Sequence, residues 1–142
     1  FADRMKASLF ISLHYNYASR AVNGLETYCI APVGMPSHFT RGSPDPVSKT
    51  LPNNRYDTRN MQLACRVHSS LRATCGMADR GVRRIRFMTV LKGQKRPAIL
   101  VEGGYLSNPT EAKLVESAAY RQKLALGIAN ALPPGSPVHV HR

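Results

Sequence analysis

Two short apolar runs set the strongest limit on how this chain folds. Residues 8–14 (SLFISLH) and 98–101 (AILV, continued by Glu102-Gly103-Gly104) are almost unbroken in their hydrophobicity. A strand with one wet face alternates polar and apolar positions. A nearly continuous run belongs to a strand covered on both faces, the usual state in a parallel sheet. The two-residue period places Phe10, Ser12 and His14 on one face of the first strand and Leu9, Ile11 and Leu13 on the other. Residues 24–30 (GLETYCI) predict another strand, with Leu25, Thr27 and Cys29 alternating against Glu26, Tyr28 and Ile30. Further strands are expected at 86–91 and 98–101, separated by a basic turn at 92–96.

Helices fall between these runs. Ala64, Val67 and Leu71 mark a helical stripe over residues 57–75, with Asp57 or Thr58 as candidate N-cap and Gly76 as the stop. Asn108-Pro109-Thr110-Glu111 is the best-marked helix start, with a capping Asn, Pro at the first position and Glu three residues after the cap. That helix runs to about Val115. Another begins at Ser117 and continues to Leu132, where Pro133-Pro134 ends it. Between 31 and 54, five prolines forbid regular structure, which predicts an excursion over one sheet edge. The fold expected from this alternation is α/β with a mostly parallel sheet. Residues 1–132 form the domain and 133–142 a loose tail.

Composition narrows the function classes. With 142 residues and 43% hydrophobic content, the chain is no disordered polyelectrolyte. No apolar run reaches the length of a membrane span. Cys29, Cys65 and Cys75 are too scattered for a disulfide framework or a CxxC metal site. A net charge of +12 favours an anionic partner: nucleic acid, a membrane surface or an acidic polymer. Arg80, Arg83, Arg84, Arg86, Lys92, Lys95 and Arg96 lie in a stretch with no acid, read either as a solvated face or as a cationic rim. Only Phe87 interleaves with them, so nucleic-acid binding is not expected. The chain opens on Phe1 with no signal peptide in view, as expected of a processed terminus or of part of a longer protein.

Among eight acidic residues, Glu102 stands out. It follows a buried-type strand and precedes two glycines that leave room beside it, surroundings that raise a carboxyl toward the range useful to a general base. The alternative is an ion pair with one of the nearby arginines. His14 holds the matching place on the first strand, where metal ligation or acid–base work competes with a plain strand-end hydrogen bond. Ligands of open parallel sheets bind beyond the carboxyl ends of the strands, so the two residues can face one crevice. His38 and His68 are expected to be structural or solvated, and His139-x-His141 is a weak metal signal.

These residues sit in recognisable company. Ser12-Leu13-His14-Tyr15-Asn16, Gly24-Leu25-Glu26-Thr27-Tyr28, Asp79-Arg80-Gly81-Val82 and the run Pro97-Ala98-Ile99-Leu100-Val101-Glu102-Gly103-Gly104-Tyr105-Leu106-Ser107-Asn108-Pro109, with Glu111, resemble the catalytic domain of the zinc-dependent N-acetylmuramoyl-L-alanine amidases of the amidase-3 family. The resemblance extends from about Ala2 to Leu132, apart from the Pro-rich loop. It implies a twisted, mostly parallel, three-layer sheet flanked by helices, and a peptidoglycan hydrolase that cuts the amide between N-acetylmuramic acid and L-alanine. It further implies Zn²⁺ as cofactor, His14 as a zinc ligand, Glu102 as the catalytic glutamate, and Asn16 as a residue orienting substrate or metal shell. It places the activity in the cell envelope, periplasmic or extracellular, with peptidoglycan as partner and any activator protein unidentified. The chain departs from the family in one respect. The remaining zinc ligands come from an upstream D-P-G-H-G-G-like segment and an upstream Glu, and neither is present. A domain incomplete at its N-terminus, lacking its first strands and inactive by itself, is therefore expected. The alternative is a catalytically inactive peptidoglycan-binding or regulatory relative.

Overall fold

A computed structural model of the chain describes residues 2–43 and 45–134. Its strands are β1 (Phe10–Asn16), β2 (Leu25–Ile30), β3 (Asp79–Ile85) and β4 (Ala98–Tyr105). They form one open sheet in the order β1-β4-β2-β3. β1 runs parallel to β4 and β2 parallel to β3, while β2 meets β4 antiparallel. All residues of β2 and β4, the two interior strands, are buried, which is why β4 is written as a continuous apolar run. β1 and β3 are the edges and tolerate exposed Leu13 and His14 or several arginines.

The helices are α1 (Asp57–Cys75), α2 (Thr89–Lys92), α3 (Pro109–Glu116) and α4 (Ala118–Asn130). Leu63, Ala64, Val67 and Leu71 of α1 meet Leu25, Cys29, Ile99 and Val101 of the sheet and Leu124 of α4 in the larger core. Gly127 lets the helices close, since a Cβ there would lie 2.8 Å from Leu71 Cδ2. Gly76 ends α1 in the left-handed conformation, as expected. Asp57 is not the N-cap. A 3-10 turn, Pro52–Tyr56, leads straight into the helix, and Asp57 Oδ1 accepts from Asn54 Nδ2 at 3.0 Å. Asn108 does cap α3, its Oδ1 accepting from the Thr110 and Glu111 amides at 3.0 and 3.2 Å.

The opposite face carries a smaller core of Tyr28, Ile30, Leu51, Ile85, Leu91, Ala98 and Leu100, with Phe10, Phe39, Phe87 and Met88 packed against it. Loop 31–54 helps to cover it. Arg86 is buried beneath this loop and donates to the carbonyls of Ala31 and Pro32 at 2.9 and 3.1 Å, and to that of Lys49.

The strand expected at 86–91 lies instead at Asp79–Ile85. Arg86 is turned under the loop, Phe87 and Met88 pack into the smaller core, and residues 89–92 make a single helical turn. His68 is structural, as expected. It is buried, with Nδ1 3.0 Å from Thr27 Oγ1 and Nε2 2.9 Å from Asp79 Oδ1, and so ties α1 to β2 and β3. The Cys residues are free thiols. His139 and His141 lie outside the described residues. No described helix is long and apolar enough to cross a membrane.

Entry into β2 depends on Gly24. Its φ is +112°, and a Cβ would sit 2.5 Å from the Ala78 carbonyl oxygen that the Leu25 amide uses at 2.9 Å. Gly24→Ala is expected to cost at least about 2 kcal/mol, read as a lowered urea midpoint.

Candidate active site

His14, Glu102 and Glu26 form one cross-strand row. His14 of β1 is the register partner of Glu102 of β4, and Glu102 is the partner of Glu26 of β2. Directly opposed residues share a face, here the one turned away from α1 and α4. Neighbours in the row are about 5 Å apart at the backbone.

The glycines after Glu102 are demanded by packing. A Cβ on Gly103 would meet Leu124 Cδ1 at 3.0 Å and Tyr15 Cε1 at 3.1 Å, and Gly104 has a φ of +131° against the Glu111 carboxylate. β4 therefore carries Glu102 inside the strand and continues to Tyr105 rather than ending at Val101.

Glu26 and Glu102 are both buried but differently served. Glu26 Oε2 accepts from Tyr105 Oη at 2.6 Å, Tyr28 Oη at 2.7 Å and Asn16 Nδ2 at 3.3 Å. Its Oε1 faces Arg80 Nε at 3.2 Å and Arg83 Nε at 3.6 Å. Burial pushes the Glu26 carboxyl up, yet the two phenols and Arg80 outweigh it and hold the group below its usual range. Glu102 lacks such support, and its Oε2 is buried with no hydrogen-bond partner. Burial first, and the Glu26 carboxylate second, push it up to about 7, with the Arg41 charge pulling the other way. The pair thus combines a fixed anion with a carboxyl that exchanges its proton near neutrality, the separation on which acid–base sites depend.

His14 is exposed and has no side-chain partner among the described residues. Asn16 is buried and turned toward Glu26, its Oδ1 accepting from the Tyr17 amide at 2.8 Å. The structure thus places the sequence candidates His14 and Glu102 side by side and links Asn16 to the row through Glu26. Glu26 was missed as a site residue. Its signal was a lone carboxylate in an otherwise apolar strand, but only the antiparallel pairing of β2 with β4 brings it to Glu102.

Zinc fits this donor set in part. An exposed imidazole beside an unpartnered carboxyl oxygen suits one ligand and the base of a hydrolytic site. Among the described residues, no group of three or more His, Cys, Asp and Glu can hold a metal ion, so His14 would need ligands from elsewhere.

The cationic stretch is not one exposed rim. Arg86 and Arg96 are buried, Arg80 and Arg83 face Glu26, Lys92 pairs with Asp45 at 2.7 Å, and Arg84 Nη2 meets His38 Nε2 at 3.1 Å. Their chemistry is local, so the +12 charge does not by itself define a polymer-binding face.

Comparison with known proteins agrees with the motifs. The family model described as N-acetylmuramoyl-L-alanine amidase matches residues 1–133. The N-acetylmuramoyl-L-alanine amidase LytC of Bacillus subtilis (strain 168) is 30% identical over 133 residues, 89% of this chain and 21% of that protein. The solved catalytic domain of CwlV, from Bacillus (Paenibacillus) polymyxa var. colistinus, superposes with a TM-score of 0.67 at 27% identity, covering 92% of this chain and 58% of that one. A solved N-acetylmuramoyl-L-alanine amidase from Clostridium difficile 630 gives 0.69 at 25% identity with the same coverage. The chain thus spans little more than half of these solved relatives. On the match over nearly its whole length, the chain belongs to the N-acetylmuramoyl-L-alanine amidase family, amidase-3.

Proposed function

We propose that this chain carries the general-base half of a zinc amidase site that hydrolyses the bond between the lactyl group of N-acetylmuramic acid and L-alanine in peptidoglycan, in the cell envelope. The observation that carries the reading is the His14–Glu102–Glu26 row, with Glu102 buried, unpartnered at Oε2 and poised near neutrality beside an exposed imidazole. His14 would hold the metal together with donors outside the described residues. When bound, zinc supplies an activated water and a Lewis acid at this edge.

The residues of the chain supply the proton path. Glu102, as carboxylate, takes a proton from the attacking water while the oxygen bonds to the lactyl carbonyl carbon. It then returns that proton to the L-alanine nitrogen as the C–N bond breaks, leaving a lactyl carboxylic acid and a free amine, which become carboxylate and ammonium by proton exchange. Glu26 stays ionised throughout, held by Tyr28, Tyr105 and Arg80. Asn16 helps to hold Glu26 in the row by donating its side-chain amide to it.

His14→Ala tests the reading. In the full-length protein, zinc affinity measured by calorimetry falls by at least about a hundredfold and turnover disappears. The thermal midpoint of the chelator-treated protein stays unchanged, because His14 is exposed and unpartnered among the described residues. Undiminished zinc affinity would remove His14 from the metal site.

A further inference from the structure

Loop 31–54 closes part of the outer edge of β3, and it does so with a side chain where a sheet would use backbone. β3 is an edge strand, so its outward amides and carbonyls need partners from outside the sheet. At Arg84 one loop residue serves both. The His38 amide donates to the Arg84 carbonyl at 2.9 Å, as a neighbouring strand would, while the Arg84 amide donates at 3.2 Å to His38 Nδ1. Two residues on, the Arg86 amide donates to Ser37 Oγ at 2.9 Å.

His38 Nε2 meets a second donor, Arg84 Nη2, at 3.1 Å. A neutral imidazole has one acceptor nitrogen and serves only one of the two donors; an imidazolium has none and serves neither. The backbone amide is fixed by the sheet, whereas the guanidinium is free to swing away. A proton added to Nδ1 therefore sets two N–H groups against each other at the strand edge. The charges that act on the ring, Arg84 and Arg83 of β3, are both cationic. Burial first, and those two charges after it, hold the ring below its ordinary value of 6.5.

The loop's other fastenings do not titrate in this range. Arg86 donates to three loop carbonyls, and bonds from Lys49 and Lys92 hold the Asp45 carboxyl down at about 2. Phe39, next to His38, packs against Tyr28 and Phe87 with ring centroids 6.0 and 5.6 Å apart. Tyr28 is the residue whose phenol holds Glu26.

We propose that His38 is a proton-sensitive clasp: neutral, it fastens residues 37–40 to the edge of β3, and protonated, it releases them together with the Phe39 ring. The clasp stands apart from the amidase reading, since no step of hydrolysis uses it. Docking by the neutral ring is complete above about pH 6.5 and is lost as pH falls through the lower value of the folded protein.

Amide hydrogen exchange of the chelator-treated full-length protein, read at Arg84 by NMR and corrected for intrinsic rates, tests the proposal. Between about pH 7.5 and about pH 4.5, Arg84 protection in the wild type is expected to fall about three- to tenfold. In His38→Asn, whose Oδ1 accepts in place of Nδ1 but cannot titrate, protection is expected to stay level. Groups that titrate elsewhere, Glu102 included, are common to both proteins, so the difference belongs to His38. His38→Ala loses the acceptor and is expected to show the low protection at both pH values. Nuclear Overhauser contacts between the Phe39 and Tyr28 rings should fade in parallel. Wild-type protection unchanged by pH, an equal fall in His38→Asn, or His38→Ala matching the wild type at the higher pH would overturn the clasp. So would rings that stay packed after the Arg84 amide is freed.

Discussion

Glu102→Gln is expected to cut hydrolysis by roughly 10²–10⁴-fold and, in the metal-free protein, to raise stability at about pH 8. Both effects come from the same burial. The carboxyl is pushed up from 4.5 to about 7 in the folded protein. Below the unfolded value both states hold the proton, and the side chain makes no pH-dependent difference. As pH rises toward 7 the unfolded chain ionises first, so folding must retain a proton that solvent would remove, and stability declines. The full penalty is present above the folded pKa and amounts to roughly 3 kcal/mol. Glutamine never ionises and avoids it. Urea titrations of chelator-treated wild type and variant should therefore diverge at about pH 8 and converge at about pH 4.5. An advantage equal at both pH values would mean that Glu102 is not held near neutrality.

Glu111→Ala is expected to be the most destabilising single substitution near the site, by about 3–5 kcal/mol. Glu111 is buried, with Oε1 accepting from the Gly24 amide at 2.7 Å and Oε2 from the Tyr105 amide at 2.7 Å. One carboxylate thus joins the entry to β2 with the end of β4. Alanine would strand two buried amides. The helix start is not at stake, because Asn108 caps α3 with its own side chain. The damage should reach the site, since Tyr105 also donates its phenol to Glu26. Urea denaturation gives the stability loss, and hydrogen exchange at the Gly24 and Tyr105 amides locates it. A loss under about 1 kcal/mol would show that these amides find other partners.

Glu111 also shows how far the sequence could be read. The capping pattern at Asn108-Pro109-Thr110-Glu111 placed the helix correctly, because caps are local chemistry. It assigned Glu111 to the helix start, whereas the side chain serves a strand more than eighty residues away in sequence. Helix α1 and the buried strand β4 were legible for similar local reasons: a regular stripe, a glycine stop and an unbroken apolar run. β3 was not, since an edge strand rich in arginine carries no apolar alternation, and the apolar residues after it belong to a loop and a single helical turn. His14 and Glu102 stood out because each closes an apolar run. Glu26 did not, as its placement beside Glu102 depends on an antiparallel pairing.

The central claim is that the His14–Glu102–Glu26 edge hydrolyses the lactyl–L-alanine amide. Mass spectrometry of purified peptidoglycan digested by the zinc-loaded full-length protein tests it most directly. The account predicts stem peptides released with a free N-terminal L-alanine, uncut glycan strands bearing lactyl carboxylates, and neither product from Glu102→Gln. Cleavage within the glycan or within the peptide, or release undiminished in Glu102→Gln, would contradict it.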